Sequence, residues 1–257
     1  MFCGRRLPWR AGGLLYERTF LTDNKVVIHP GDIISYMDMC RNESASLQRG
    51  MNFRLGGRVS VILMSLRAGA PYADRIEDGG KILIYEGHDS SRTKTGPNPK
   101  EIDQPEHSPA GTLTQNGLFW KAAEAHKKNN ASPELVRVYE KIKTGIWAFA
   151  GLFELIDAWK QEENGRKVFK FKLHLSRHHV DSQPSDEGKI EHDRLIPTQV
   201  KIEVWKRDKG KCVLCGNQEN LHFDHIVPFS KGGTSLLAKN VQLLCAKHNL
   251  LKRDKIE

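Results

Sequence analysis

Residues 212–249 read CVLCGNQENLHFDHIVPFSKGGTSLLAKNVQLLCAKHN, and this stretch decides the fold of the C-terminal part of the chain. Cys212 and Cys215 form one close pair, and Cys245 and His248 form a second, with 29 residues between the pairs. Thiolates and an imidazole are the donors that tetrahedral zinc prefers, and structural sites use this spacing. A single pair of cysteines could be two buried thiols, but the two pairs together predict a structural zinc ion held by these four residues.

Between the pairs lies LHFDHIVPFSKGGTS, residues 221–235, with Asn240 and Asn249 after it. With the predicted zinc ligands around it, this segment resembles the HNH endonuclease family. The family pattern is an acid or histidine, a histidine, a central asparagine and a terminal histidine or asparagine, which match Asp224, His225, Asn240 and Asn249 here. The resemblance implies a ββα fold, a hairpin followed by a helix, around one catalytic metal ion.

Phosphodiester hydrolysis requires a base to deprotonate water and a hard cation to polarise the phosphate. We expect His225 to be the base, because the pKa of an imidazole lies near neutrality. Asp224 and Asn249 offer oxygen ligands for one Mg²⁺ or Mn²⁺ ion. Asn240 is expected to orient the loop that carries the base. An isolated Asp-His pair is more often a surface feature, so these roles depend on the complete pattern. The nearby His222 either supports the site residues or is solvated, and the solvated interpretation is preferred.

Helical periodicity predicts two helices in this part of the chain. Thr198 is the expected N-cap of the first, which ends near Gly210. Residues 239–255 are predicted to form the second. Its basic residues are interpreted either as phosphate contacts or as a solvated helix face: Lys247, Lys252, Arg253 and Lys255.

The N-terminal part of the chain is dominated by predicted strands. Short apolar or alternating runs rich in β-branched residues favour five of them, at 58–66, 81–86, 135–142, 146–159 and 167–175. A helix can also be drawn over 146–159. One helix is predicted at 117–128. Residues 90–109 contain four prolines and are expected to form a long binding loop.

Residues 49–175 resemble the SRA domain, also called YDG, whose family recognises 5-methylcytosine by flipping the base out of the duplex. The resemblance is carried by RVSVILMSLRAGAPYADRIEDGG, by ILIYEGHD, by IDQPEHSPAGTLTQNGLFWKAAEAH, and by the run from VRVYEKI to GLFELIDAWKQEENGRKVFKFKLHL. The expected fold class is therefore α+β. It combines an SRA-like twisted β-barrel or sheet with flanking helices and a small zinc-stabilised ββα-metal HNH domain.

A flipped cytosine must be stacked on flat side chains and offered an acceptor for its exocyclic amine. Tyr72 and Tyr85 are the expected stacking planes, although ordinary strand packing is the alternative for both. Asp74 and Glu86 both qualify as the acceptor, and Asp74 is preferred.

The composition favours a polyanionic partner. The chain has 40 Lys and Arg against 31 Asp and Glu, a net charge of +9, and residues 198–257 contribute 11 − 6 = +5 of it. A charged, solvated surface is the alternative interpretation. There is no apolar run of membrane-spanning length and no signal peptide, so no membrane contact and a bacterial cytoplasmic location are expected. Five cysteines in a reducing compartment favour metal ligands or buried thiols, and Cys3 and Cys40 are expected to be structural.

Together these patterns predict a modification-dependent restriction endonuclease that cuts double-stranded DNA carrying 5-methylcytosine or 5-hydroxymethylcytosine, acting as a homodimer. The predicted organisation has four parts: 1–45, a capping or dimer-contact segment; 46–177, the modified-base reader; 178–197, a linker; and 198–257, the nuclease. Two rival functions stay open. One is an HNH nuclease or nickase that reads unmodified DNA, and the other is a zinc-containing DNA-binding protein that does not cleave.

Overall fold

The computed structural model describes residues 28–57, 59–176, 196–228 and 231–252. We call residues 28–176 the sheet domain and residues 196–252 the C-terminal module. Cys3, Arg253, Lys255 and all but the last two residues of the expected linker lie outside the described residues.

The described elements confirm the α+β class. The strands are β1 (Ile33–Ser35), β2 (Met51–Asn52), β3 (Ser60–Met64), β4 (Arg75–Glu77), β5 (Ile82–Glu86), β6 (Glu134–Lys143), β7 (Ile146–Glu163), β8 (Arg166–Leu175), β9 (Leu221–His225) and β10 (Val241–Cys245). The α-helices are α1 (Tyr36–Asn42), α2 (Gln115–Lys127), α3 (Thr198–Arg207) and α4 (Ala246–Lys252). Of the helices in the described ranges, none has the length and apolar character needed to cross a bilayer.

The sheet domain is built on one mixed eight-stranded sheet. Its order is β2-β3-β6-β7-β8-β5-β4, and β1 pairs with β7 beside this path. The central strand is β7, which spans 18 residues and is hydrogen-bonded to β6, β8 and β1 along different parts of its length. All five strands expected from the apolar runs are present, and the ambiguous run over 146–159 is a strand. Its antiparallel pairing with β6 on one side and β8 on the other shows this.

Helix α2 covers one face of the sheet. It begins after Thr114, whose hydroxyl accepts a hydrogen bond from the backbone N–H of Gly117 at 3.3 Å. Phe119 is fully buried and its ring lies 5.9 Å from that of Phe171 on β8. Gly117 is needed for close approach, because a Cβ there would lie 2.4 Å from the carbonyl oxygen of Glu106. The helix thereby holds the end of the sheet's long loop against the core.

The C-terminal module contains an antiparallel hairpin of β9 and β10 followed directly by α4. The prediction of one helix over 239–255 is therefore wrong for Val241–Cys245, which form a strand. That run is five consecutive buried residues, and a fully buried strand has no alternation to separate it from a helix. Helix α3 is present as predicted, but Pro197 holds the N-cap position and Thr198 is the first helical residue.

The sheet domain and the C-terminal module are in contact through α3 and β9. Lys201 of α3 forms a buried ion pair with Glu140 of β6, with Nζ 2.7 Å from Oε2. Lys143 lies 5.1 Å above the ring of Trp205. Ile33 of β1 packs against the buried core of the module. Contacts of both apolar and charged kinds therefore fix α3 against the sheet.

Candidate active site, zinc site and base pocket

The hairpin register places the predicted catalytic residues at the end of β9. Asp224 pairs with Gln242 of β10, and His225 pairs with Val241. The Asp224 carboxylate accepts a hydrogen bond from Lys252 Nζ, which lies 2.8 Å from Oδ2. The same ammonium donates to the backbone carbonyl of His225 at 2.5 Å. Lys252 thus ties α4 to the two residues on which hydrolysis is predicted to depend.

Lys252 departs from both interpretations given to the basic face of α4. Its side chain is only 1% exposed, so it is neither a solvated lysine nor a phosphate contact. A buried ammonium is unstable without an anionic partner, and Asp224 supplies one. Sequence reasoning missed this role because nothing in the spacing of Lys252 distinguishes it from Lys247, which is exposed.

The loop after β9 is held by Asn240. Its side-chain oxygen accepts from the backbone N–H of Val227 at 2.9 Å, and its amide donates to the carbonyls of Val227 and Thr234 at 3.1 and 3.0 Å. A Cβ on Gly233 would lie 1.8 Å from the Val227 carbonyl oxygen, so only glycine fits. These contacts give Asn240 the geometry of the bracing role that the family resemblance implied.

The His225 ring has a partner that the sequence did not indicate. Its Nε2 lies 2.8 Å from the hydroxyl of Ser235, which belongs to the loop held by Asn240. Ser235 is buried, so the hydroxyl is fixed by its surroundings. This contact sets the plane of the imidazole, and a fixed ring plane is what a general base requires.

Asn249 lies on α4, one helical turn before Lys252. Residues three apart on a helix share a face, so Asn249 lies on the side of α4 from which Lys252 reaches Asp224. A carboxylate and an amide carbonyl are hard oxygen donors, which fits Mg²⁺ or Mn²⁺ by ligand chemistry. Both described contacts of the Asp224 carboxylate, from Lys252 and from Gln242 at 3.4 Å, engage Oδ2.

The four predicted zinc ligands come together. The ligand atoms of Cys212, Cys215, Cys245 and His248 all lie within 4.8 Å of one another. The Sγ atoms of Cys215 and Cys245 are 3.8 Å apart. Tetrahedral zinc with Zn–S bonds of about 2.3 Å would set its sulfurs about 3.8 Å apart. The donor set therefore fits a tetrahedral zinc ion.

The imidazole of His248 faces the thiols through Nδ1, 3.4 Å from Cys212 Sγ and 3.2 Å from Cys245 Sγ. Burial raises the pKa of the Cys212 thiol, but the backbone N–H groups of Cys245, Cys215 and Leu214 outweigh it and lower the pKa to about 6. These donors stabilise the thiolate, which is the form that binds metal.

His222 is not solvated as expected. Its Nδ1 lies 2.7 Å from a carboxylate oxygen of Asp32, just before β1, and the same two residues form an isolated antiparallel bridge. The expectation failed because Asp32 precedes His222 by 190 residues, beyond the reach of local patterns. Strand β9, which carries Asp224 and His225, is thereby joined to the sheet domain.

In the sheet domain, Tyr72 and Tyr85 are linked by a residue that the sequence did not single out. The His88 ring is nearly parallel to that of Tyr72, with centroids 5.0 Å apart and planes 13° apart. His88 Nε2 also lies 2.9 Å from the hydroxyl of Tyr85. Tyr85 itself is 1% exposed, whereas Tyr72 is half-buried. His88 follows the strand end by two residues in a lone position, so no spacing signal marked it.

The two candidate acceptors differ in their surroundings. Asp74 accepts backbone hydrogen bonds from Glu86 at 3.1 Å and Ser65 at 3.2 Å, and burial raises its pKa to about 7. Glu86 is buried and paired with Lys170, whose Nζ is 3.0 Å from Oε2, and with Arg166 at 3.5 Å. The Glu86 carboxylate is therefore engaged in ion pairs within the domain, and Asp74 is the acid with fewer charged partners.

The long loop over 90–109 folds back on this pocket. Lys100 lies over the Tyr72 ring, with Nζ 4.2 Å from the centroid, and pairs with Asp89 at 2.8 Å. Arg166, the first residue of β8, also pairs with Asp89, with Nη1 2.6 Å from Oδ1. Gln104, also from the loop, donates to the Gly87 carbonyl at 2.7 Å. Lys100 and Gln104 of the loop thus contact Tyr72 and the backbone next to His88.

Comparison with protein families matches the part of the chain in which the zinc ligands and Asp224 lie. Residues 212–255 match the HNH endonuclease family. The C-terminal part of the chain is therefore an HNH domain, and its hairpin and α4 contain Asp224, His225 and Asn249. A comparison with curated proteins finds no match to this sequence.

Solved structures similar to this chain include the SRA domain of SUVH5 bound to hemi-methylated CG DNA, at 22% identity, with a TM-score of 0.42 over 61% of this chain and 94% of that one. SUVH5 SRA bound to hydroxymethylated DNA has 20% identity and a TM-score of 0.39, over 58% and 89%. Arabidopsis thaliana SUVH6 in complex with SAM has 19% identity and 0.38, over 78% of this chain and 32% of that one. With TM-scores below 0.5, these likenesses do not define the function of the sheet domain, which we derive from its own residues.

Proposed function

We propose that this protein is a modification-dependent DNA endonuclease. The sheet domain takes up a flipped 5-methylcytosine or 5-hydroxymethylcytosine, and the HNH domain hydrolyses the backbone of the same duplex. The observation that carries the proposal is the presence, in one chain, of an HNH domain and of an aromatic cluster of Tyr72, Tyr85 and His88, with the Asp74 carboxyl group hydrogen-bonded to the same strand end. A binding protein without cleavage has no use for the catalytic set, and the net charge of +9 suits a DNA partner.

In the proposed reaction, His225 takes a proton from a water molecule beside the scissile phosphate. Ser235 orients the His225 ring, and Asn240 holds the loop from which Ser235 projects. Asp224 and Asn249 would hold one Mg²⁺ or Mn²⁺ ion. When bound, the ion would polarise the phosphate and neutralise the departing 3′-oxygen.

Recognition of the base is proposed to use Tyr72 and Tyr85 as stacking planes and Asp74 as acceptor for the exocyclic amine. The ion pairs of Glu86 support Asp74 over Glu86 as the reading group. One structural zinc ion would be held by three cysteines and one histidine: Cys212, Cys215, Cys245 and His248. Because one HNH domain holds one catalytic site and cuts one strand, we propose that a double-strand break requires two copies of the chain.

The decisive test is cleavage of three matched duplexes that differ at one position, which carries cytosine, 5-methylcytosine or 5-hydroxymethylcytosine. We expect cleavage of the modified duplexes and loss of all cleavage when EDTA replaces Mg²⁺. Equal rates on the three duplexes would instead assign a nuclease that reads unmodified DNA. Binding without cleavage in Mg²⁺ and in Mn²⁺ would assign a DNA-binding protein.

The acidity of Asp74 predicts a pH dependence of DNA binding. Its pKa of about 7 means that the carboxylate, the better acceptor, is lost as the pH falls through neutrality. Affinity for the methylated duplex, measured without divalent metal, should fall about tenfold between pH 8 and pH 6. Asp74→Asn keeps an acceptor oxygen without a titrating proton, so its affinity should be nearly constant over that range. A wild-type profile as flat as that of the variant would remove Asp74 from the reading role.

The raised pKa of Asp74 also makes the stability of the folded protein depend on pH. Because the folded-state pKa of Asp74 is raised above the ordinary value of 3.8, the folded protein binds its proton more tightly than the unfolded chain does. The stabilisation from this group is therefore complete at low pH and is lost as the pH rises from about 4 to about 7. The change has the opposite sign to that of an ion-paired carboxylate.

A further inference from the structure

His88 touches both aromatic residues of the proposed base pocket. Its ring is stacked on Tyr72 and its Nε2 is hydrogen-bonded to the Tyr85 hydroxyl. A stacked ring with a polar edge contact is also the arrangement that a flipped pyrimidine adopts in a protein pocket. We propose that His88 is a displaceable occupant of this pocket: its imidazole fills the place of the flipped base in the unbound protein and must leave before a base can enter. This inference rests on the proposed base-reading function.

The available space supports displacement rather than joint occupancy. Stacked aromatic rings have centroids about 4.5–7 Å apart. His88 already lies at 5.0 Å from Tyr72, within the range that a stacked base would need. The Lys100 ammonium also lies over the Tyr72 ring, 4.2 Å from its centroid. A base that stacks on Tyr72 therefore has to replace a group that is already there.

The backbone and the side chain of His88 are held by different residues. Asn116 accepts a hydrogen bond from the His88 N–H and donates one to the His88 carbonyl, both at 2.8 Å. On one side the ring meets the backbone at Gly50, where a Cβ would lie 2.7 Å from Nε2. His88 is nevertheless partly exposed. The ring can therefore leave by rotation of the side chain toward solvent, without movement of the strand end.

Displacement of His88 also changes the surroundings of Tyr85. The Tyr85 ring is part of the buried core, and its hydroxyl is hydrogen-bonded to the imidazole. Rotation of His88 would free the Tyr85 hydroxyl and the stacked face of the Tyr72 ring. Burial lowers the pKa of His88 to about 4, so the ring is neutral at physiological pH and leaves without breaking an ion pair.

If His88 occupies the pocket, its presence lowers the affinity of the wild-type protein for DNA with a flipped base. One aromatic contact and one hydrogen bond are lost when the ring leaves, so removing the ring in advance should raise the affinity for a 5-methylcytosine duplex by about tenfold. Affinity for DNA that is bound without base flipping should not change. The gain should therefore be accompanied by more flipping, and not by tighter binding of all DNA.

The test compares the full-length wild-type chain with His88→Ala in the absence of divalent metal. Affinity is measured on matched duplexes with cytosine or 5-methylcytosine, and flipping by the emission of a fluorescent cytosine analogue at the target position. His126→Ala is the matched control, because it removes an imidazole at the opposite end of α2 from Asn116. We expect His88→Ala to bind the methylated duplex about tenfold more tightly with increased emission, and the control to equal the wild type.

Weaker binding of methylated DNA by His88→Ala would show that the ring reads the base, and unchanged affinity would show a purely structural role; either result overturns the proposal. Should His88→Ala fail to fold, Tyr85→Phe removes only the hydrogen bond and should give a gain of a few fold. No gain there would equally overturn it. A wild-type chain that binds both duplexes equally refutes base reading itself, whereas a wild-type preference without a gain in the variant refutes only the occupancy by His88.

Discussion

Replacing His225 by alanine is expected to lower the rate of DNA cleavage by about 10³-fold, while the affinity for the same duplex is retained. The imidazole at the end of β9 is the proposed general base, and the Ser235 hydroxyl lies 2.8 Å from its Nε2. Its backbone carbonyl, which accepts from Lys252, is unaffected by the substitution. The measurement is single-turnover cleavage in Mg²⁺, with binding measured separately in EDTA.

Ser235→Ala provides the graded comparison. It removes the hydroxyl that orients the ring but leaves the ring in place, so we expect a loss of about tenfold, well below that of His225→Ala. Both variants should keep the zinc content of the wild type. Cleavage by His225→Ala at the wild-type rate would refute the assignment of the base, and loss of zinc from that variant would show that the substitution acts through the fold instead.

The sequence predicted those features that depend on neighbouring residues. Strands β5, β6 and β8 follow from their β-branched and aromatic content, and α2 from its spacing of apolar residues. The zinc ligands followed from two pairs with a fixed internal spacing, because that spacing is imposed by the metal itself. In each case the physical cause acts over a few residues, so one segment of sequence contains it.

Features that depend on distant partners were not predicted. Glu86 and Lys170 are 84 positions apart, and only the register of β5 with β8 makes them neighbours. Lys252 and Asp224 are brought together by the fold of α4 onto β9 in the same way. A polar residue that is buried by tertiary contacts looks the same in sequence as one on the surface, so burial and pairing had to come from the structure.

The strand β10 illustrates a second kind of failure. VQLLC has apolar residues at helical spacing, all five of its residues are buried, and it is followed by a true helix without a break. Periodicity alone does not separate a short buried strand from the first turns of such a helix. The ββα fold implied by the HNH resemblance gave the correct arrangement, because it fixes the order of elements independently of local periodicity.

Removal of zinc is expected to unfold the C-terminal module and abolish cleavage, while the sheet domain keeps its fold and its affinity for DNA. The buried core of the module is small, and two of its members, Cys212 and Cys245, belong to the predicted zinc site. Structural zinc contributes about 10–16 kcal/mol of binding free energy in small domains, which is more than such a core supplies. The sheet domain has its own core around Phe119 and Phe171.

Cys215→Ser is the sharpest form of this experiment, because Cys215 is exposed and its loss creates no cavity. Zinc content, the change in the near-UV spectrum and thermal unfolding would be measured together, and we expect loss of zinc with unfolding of the module alone. Cys40→Ser removes a thiol from α1 of the sheet domain and should leave one zinc per chain. A soluble, folded and zinc-replete Cys215→Ser protein would contradict the ligand set. His222 and Lys201 pair with Asp32 and Glu140 of the sheet domain. Unfolding of the module should break both pairs and leave the Glu140 carboxylate without its cation. The sheet domain should therefore stay folded but become less stable when the metal is removed.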